Sequence, residues 1–142
     1  MKREILCPAN VFDPREKYGY VQAIKVGNTI YLAGQVAWDE EGNLVGTGDI
    51  VAQMRQCREN MRRLLAAAGA TMNDLVQETI SCRDVRLFAR EAARIGEEVD
   101  KEYFSPPGHY SPPGTCLQVA SLWDPDMLVE IEAIAVVDSG QA

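Results

Sequence analysis

The segment Met127-Leu-Val-Glu-Ile-Glu-Ala-Ile-Ala-Val-Val137 constrains this chain more than any other. Its alternation and β-branched content predict a strand. Val129, Ile131, Ala133 and Ala135 would point one way, and Glu130, Glu132, Ile134 and Val136 the other. The first set can bury beneath helices. The second carries two large apolar groups after its two carboxylates, so that face also needs cover, and self-association is the simplest way to supply it. A chain with this strand must build a sheet that is buried on both sides.

The remaining elements fit such a sheet. Tyr20 to Val26 and Thr29 to Ala33 alternate around Gly27-Asn28, which predicts a β-hairpin. A polar, glycine-rich loop spans 39–48. Asp49 then caps a long helix in which Ile50, Met54, Cys57, Met61, Leu64, Leu65 and Ala68 recur at helical spacing, and Gly69 ends it. Thr71-Met-Asn-Asp74 has capping-box spacing. Val76 to Arg83 predicts a strand. A second helix carries Phe88, Ala92, Ile95, Val99 and Tyr103 on one face and stops at Phe104, because Ser105-Pro-Pro-Gly cannot continue it. The same tetrapeptide recurs at 111–114, around His109-Tyr110. Thr115 to Leu122 and Met127 to Val137 are further strands, joined by the turn Trp123-Asp-Pro-Asp126, and the tail from Asp138 is expected to fray. The fold class is therefore α+β: one domain over 1–142, with a single sheet and two helices on one face.

Composition narrows the function. The chain has 142 residues, of which 14 are basic and 21 acidic, for a net charge of −7. An acidic chain without a basic, aromatic-studded stripe is not expected to bind nucleic acid. Arg55, Arg58, Arg62 and Arg63 do cluster, but on the polar side of the first long helix, which reads as a solvated face. No run is long and apolar enough to span a membrane, and the N-terminus lacks a signal-peptide pattern. Cys7, Cys57, Cys82 and Cys116 form no CxxC pair and read as reduced, mostly buried thiols, which fits a cytoplasmic protein.

Several chemistries lack their residues. There is no phosphate-binding or dinucleotide-binding glycine motif and no HExxH, so neither cofactor nor metal is expected. A Ser-His-Asp triad would have to use the single histidine, His109, in a proline-rich loop. Cys116 lies seven residues from His109, which leaves a Cys-His nucleophile conceivable, although a cysteine in a strand is more often a small buried hydrophobe. Acid–base chemistry or simple small-molecule binding remains. The acid–base candidates are Glu130 and Glu132, which share one face of an otherwise apolar strand. Cover from a neighbouring subunit would desolvate them and raise their proton affinity, which suits one of them to hold a water or shuttle a proton.

A set of segments resembles a known family. These are Tyr20-Val-Gln-Ala with its hairpin, Ala33-Gly-Gln35, Gln53 through Asn60 to Ala68-Gly69, Arg83-Asp84 with Phe88, Tyr103-Phe104, and Val129-Glu-Ile-Glu-Ala-Ile-Ala135. Together they resemble the Rid (YjgF/YER057c/UK114) family of reactive-intermediate deaminases. The resemblance implies a chorismate-mutase-like (YjgF-like) fold, a homotrimer whose sheets surround a central barrel, and clefts between subunits. It also implies cofactor-free hydrolysis of imines and enamines, such as 2-aminoacrylate, to keto acids and ammonia. Carried over residue by residue, it makes Glu130 the group that positions the attacking water. The resemblance likewise places Tyr20, Gly34 and Cys116 along the cleft.

The resemblance breaks at the segment Pro112-Pro-Gly-Thr115. Active members carry an arginine where Gly114 stands, and it grips the substrate carboxylate with two charge-assisted hydrogen bonds. Without it, affinity for a small imino acid should fall by about 2–5 kcal/mol. Gly114 and Thr115 leave only backbone and a hydroxyl there, and Arg83, His109 or Tyr110 are the substitutes within reach by sequence. Three readings stay open. The chain hydrolyses a different imine or enamine, or it binds a small metabolite without chemistry in a trimer with a regulatory role, or it keeps only the scaffold.

Overall fold

The computed structural model describes residues 2–106 and 109–141. Six strands form one mixed sheet: β1 (Arg3–Leu6), β2 (Ala23–Val26), β3 (Thr29–Gln35), β4 (Leu75–Cys82), β5 (Gly114–Gln118) and β6 (Val129–Val136). Their spatial order is β1-β2-β3-β6-β4-β5. Only β4 and β5 run parallel; the other neighbours are antiparallel. The last strand of the sequence thus lies in the interior of the sheet. The β2–β3 hairpin turns at Gly27, whose φ of 60° lies in the region that favours glycine.

Helix α1 (Arg15–Tyr18) is a single turn, whereas α2 (Ile50–Ala67) spans the sheet. The Asp49 carboxylate accepts from the Ala52 N–H at 3.1 Å, and Gly69, at φ 77°, lies just beyond the helix end. Met54, Cys57, Met61, Leu64 and Leu65 of α2 are fully buried and share the core with Ile30, Ile131 and Ala135. Burying each such Leu, Ile or Met stabilises the fold by roughly 2 kcal/mol. Helix α3 (Val85–Ile95) runs on through a π-helical segment, Gly96–Asp100, into α4 (Lys101–Tyr103). Ile95 and Val99 anchor this composite helix, while Ala92, expected on its buried face, is exposed.

The helix-free face of the sheet presents Ile5, Ile24, Tyr31 and Ile134 in register across β1, β2, β3 and β6, with Leu117 of β5 further along the same face, level with Ser81 and Glu130. Ile5, Tyr31 and Leu117 are 46%, 47% and 39% exposed, so the apolar second face anticipated from β6 is real. Every residue of β5, the strand at one edge, is exposed.

The strand β1 and the turn α1 carry no clear periodicity in the sequence; β1 forms because its backbone pairs with β2. Three expectations need correction. Arg58 does not lie on a solvated face: it is wholly buried. Its Nη1 and Nη2 both donate to the Glu78 carboxylate, the second at 3.1 Å, and its Nε donates to Asp100 at 3.0 Å. The tail from Asp138 to Gln141 is tied back to the fold, since the Gly140 N–H donates to the Asp74 carboxylate at 2.8 Å and Ser139 Oγ to the Asp74 carbonyl at 3.2 Å, and Ala142 lies outside the described residues. Finally, only Cys57 and Cys82 are buried, whereas Cys7 and Cys116 are exposed.

Candidate functional site

Between Leu32 and Gln35 the pairing of β3 with β6 slips, leaving Gly34 in an irregularity opposite the start of β6. A Cβ at Gly34 would stand 2.6 Å from both Cδ and Oε1 of Glu130. Glycine at 34 therefore lets the Glu130 carboxyl lie directly over the bulged backbone. Around these two residues is a cup of about 270 Å³, walled by Tyr18, Tyr20, Val36, Trp38, Trp123 and Met127.

Buried amides of the fold hold each wall. Gln53 of α2 donates to the Asp126 carbonyl at 2.9 Å and accepts from the Leu128 N–H at 2.8 Å, which fixes the loop bearing Trp123 and Met127. Asn60, two turns further on, donates to the carbonyls of Val36 (3.2 Å) and Trp38 (2.9 Å). Gln35 donates to the side chain of Gln22 at 2.9 Å, and Gln22 donates to the Phe12 carbonyl at 3.1 Å, which fastens the segment that carries Tyr20. The rings brace one another: Tyr18 stacks on Trp38 at 5.7 Å, with Trp123 edge-on to Tyr18 at 5.8 Å.

The electrostatics follow from this setting. Burial, and then the neighbouring Glu132 carboxylate, raise the Glu130 carboxyl above its ordinary value. Tyr20 is raised by burial first and then by Glu130. The cup thus holds one carboxyl group that favours its proton more than usual, beside two phenols and an indole pair. Such a group can accept a proton from water and return it. Among the described residues, no three His, Cys, Asp or Glu side chains gather as a metal site requires.

The sequence candidates divide into two sets. Tyr20, Gly34 and Glu130 meet in the cup. Gly114, Thr115 and Cys116 do not line it; they sit on the edge strand β5, beyond β4. Cys116 lies against the thiol of Cys82, which burial and then Cys116 raise to about 11. A Cβ at Gly114 would approach the Glu78 carbonyl oxygen closer than any real Cβ sits, so β5 packs on β4 only because position 114 has no side chain. Arg83 is exposed at the end of β4, its N–H donating to the Leu128 carbonyl at 3.1 Å, and it forms no ion pair among the described residues. His109 and Tyr110 line a separate hollow beside Asp100 and Phe104; Pro107 and Gly108 of the same loop lie outside the described residues. The aromatic walls, Tyr18, Trp38 and Trp123, carry no motif or periodic signal in the sequence, although both tryptophans stand in turn or loop segments where a large ring has no core to fill.

The endoribonuclease L-PSP family model matches residues 13–137. A RutC family protein of Pyrococcus abyssi is 40% identical over 116 residues, covering 82% of this chain and 84% of its own. The 2-iminobutanoate/2-iminopropanoate deaminase of Escherichia coli is 33% identical over 117 residues, covering 82% and 86%. Among solved structures, RidA from an Antarctic Psychrobacter superposes with a TM-score of 0.78 at 32% identity, over 94% of this chain and 99% of that one. Escherichia coli TdcF, solved with bound serine, gives 0.79 at 27% identity over 94% and 98%.

Proposed function

The chain belongs to the Rid family, whose sequence model is that of endoribonuclease L-PSP, and from that premise we propose that it is a hydrolytic deaminase of a small imine or enamine. The observation that carries this reading is Glu130: a half-buried carboxyl with raised proton affinity, laid over the bulged backbone at Gly34 inside an aromatic cup. In this reading Glu130 takes a proton from the attacking water and passes it to the departing nitrogen. Tyr20 and the main chain at Gly34 orient the substrate. The relatives named iminobutanoate/iminopropanoate deaminases support the reaction class.

The second half of the site comes from a neighbouring copy. Gly114, Thr115 and Cys116 lie on a wholly exposed edge strand, and the apolar helix-free face stands open beside it. A homotrimer that covers this face sets β5 of one copy against the cup of the next and closes a cleft between them. The substrate is not 2-aminoacrylate, because Gly114 offers that cleft no guanidinium for a carboxylate. The test is ammonia release from a panel of imines generated in situ. The wild type accelerates hydrolysis of at least one, and Glu130→Gln loses it by roughly 100-fold or more while keeping its oligomeric state. Equal rates for the two proteins would remove Glu130 from the reaction.

A further inference from the structure

The cup has the chemistry of a cation site. Its one ionisable carboxyl, Glu130, shares the cup with Tyr18, Tyr20, Trp38 and Trp123, and among the described residues no lysine or arginine lines it. Ring faces and a carboxylate both attract positive charge, and both repel an anion. One cation already sits against this wall from outside: Lys17 Nζ lies 5.2 Å from the centroid of the Tyr18 ring. Trp123, the ring next to Tyr18, is 76% exposed, so its indole is available to a ligand in the cup. The long-range field agrees, since the chain carries a net charge of −7.

We propose that the site selects a small organic cation, an iminium ion without a carboxylate, and that the substrate supplies the positive charge that position 114 lacks. This rests on the deaminase reading above and names its substrate class. Pairing with Glu130 holds the imine in its protonated form, whose carbon is the more electrophilic. Water oxygen then adds to that carbon while the C=N π pair moves to nitrogen, and Glu130 takes a proton from the adding oxygen. Glu130 returns the proton to the amine nitrogen, and the C–N bond breaks with its electron pair to nitrogen. The hydroxyl proton leaves with the departing ammonia. One iminium ion and one water give one carbonyl compound and one ammonium ion.

The test uses three probes of matched size: cyclopentylammonium, cyclopentanol and cyclopentanecarboxylate. Affinity is measured by titration calorimetry on the intact oligomer. Tryptophan fluorescence localises the binding, because both tryptophans of the chain line the cup. The cation should bind at least about tenfold more tightly than the alcohol or the carboxylate, and Trp123→Ala should remove most of that preference without changing the oligomer. Equal affinities, no binding of the cation, or preference for the carboxylate would each overturn the inference. Ammonia release from a carboxylate-free iminium is followed in parallel and separates the two readings. Selective cation binding without hydrolysis keeps the inference and removes the deaminase. Hydrolysis of a neutral imine with no cation selectivity does the reverse.

Discussion

At the scale of single residues the account turns on Glu130, whose raised proton affinity has a cost in stability. A carboxyl group with a folded-state value above its unfolded one favours the native state most when protonated. That contribution is fully present below the ordinary carboxylate range and is lost as pH rises through the raised value. Glu130→Gln carries no such charge, so it should melt higher than the wild type at pH 8, with the gap closing as pH falls toward 4. Thermal melts across that range check it, and a variant that melts lower throughout would mean that the ionised Glu130 is held by partners, not strained. The carboxylate itself was legible in the sequence, because a charge interrupting an apolar strand stands out. Its surroundings were not. Trp38 and Trp123 lie 85 positions apart in sequence, and they flank Tyr18 in one cup where Asn60 and Gln53 of one helix fasten two unrelated loops.

At the scale of elements, the join between α2 and the β4–β5 edge is the least expected feature. Arg58 reads in sequence as one of four surface arginines, since helical spacing places it beside the polar residues. In the fold, its guanidinium lies 5.0 Å from the Phe104 ring centroid and is enclosed by Glu78 of β4 and Asp100 of the π-helical segment. The signal missed was long-range: its acidic partners lie 20 and 42 residues away. Breaking such a buried pair from one side leaves a charge without compensation. Arg58→Ala should therefore cost about 3–5 kcal/mol, read as a shift in the urea midpoint, whereas Arg62→Ala, on an exposed i,i+3 pair, should cost under about 1 kcal/mol. Equal small losses would contradict the burial of Arg58. The same edge explains position 114. The Glu78 carbonyl leaves no room there for a Cβ, so restoring an arginine means moving β5 as well as adding a side chain.

At the scale of the whole molecule, the β6 alternation already implied a sheet with two apolar faces, and the helix-free face bears this out. What covers it is set by surfaces that no single chain displays. The open face and the bare edge of β5 belong together in the homotrimer proposed above. Tyr31→Glu, placed at the centre of that face, should shift the protein toward monomer in sedimentation velocity without loss of its helical circular dichroism; an unchanged oligomer would move the interface elsewhere. In the proposed homotrimer each active cleft takes Glu130 from one copy and Cys116 from its neighbour. Subunit mixing tests it most directly. Glu130→Gln and Cys116→Trp, the second a block on the exposed edge, should each be inactive alone. Every mixed trimer then contains one intact cleft, so equal mixing should restore about a quarter of wild-type turnover. Mixed trimers that form and remain inactive would contradict the shared cleft and return the whole site to a single chain.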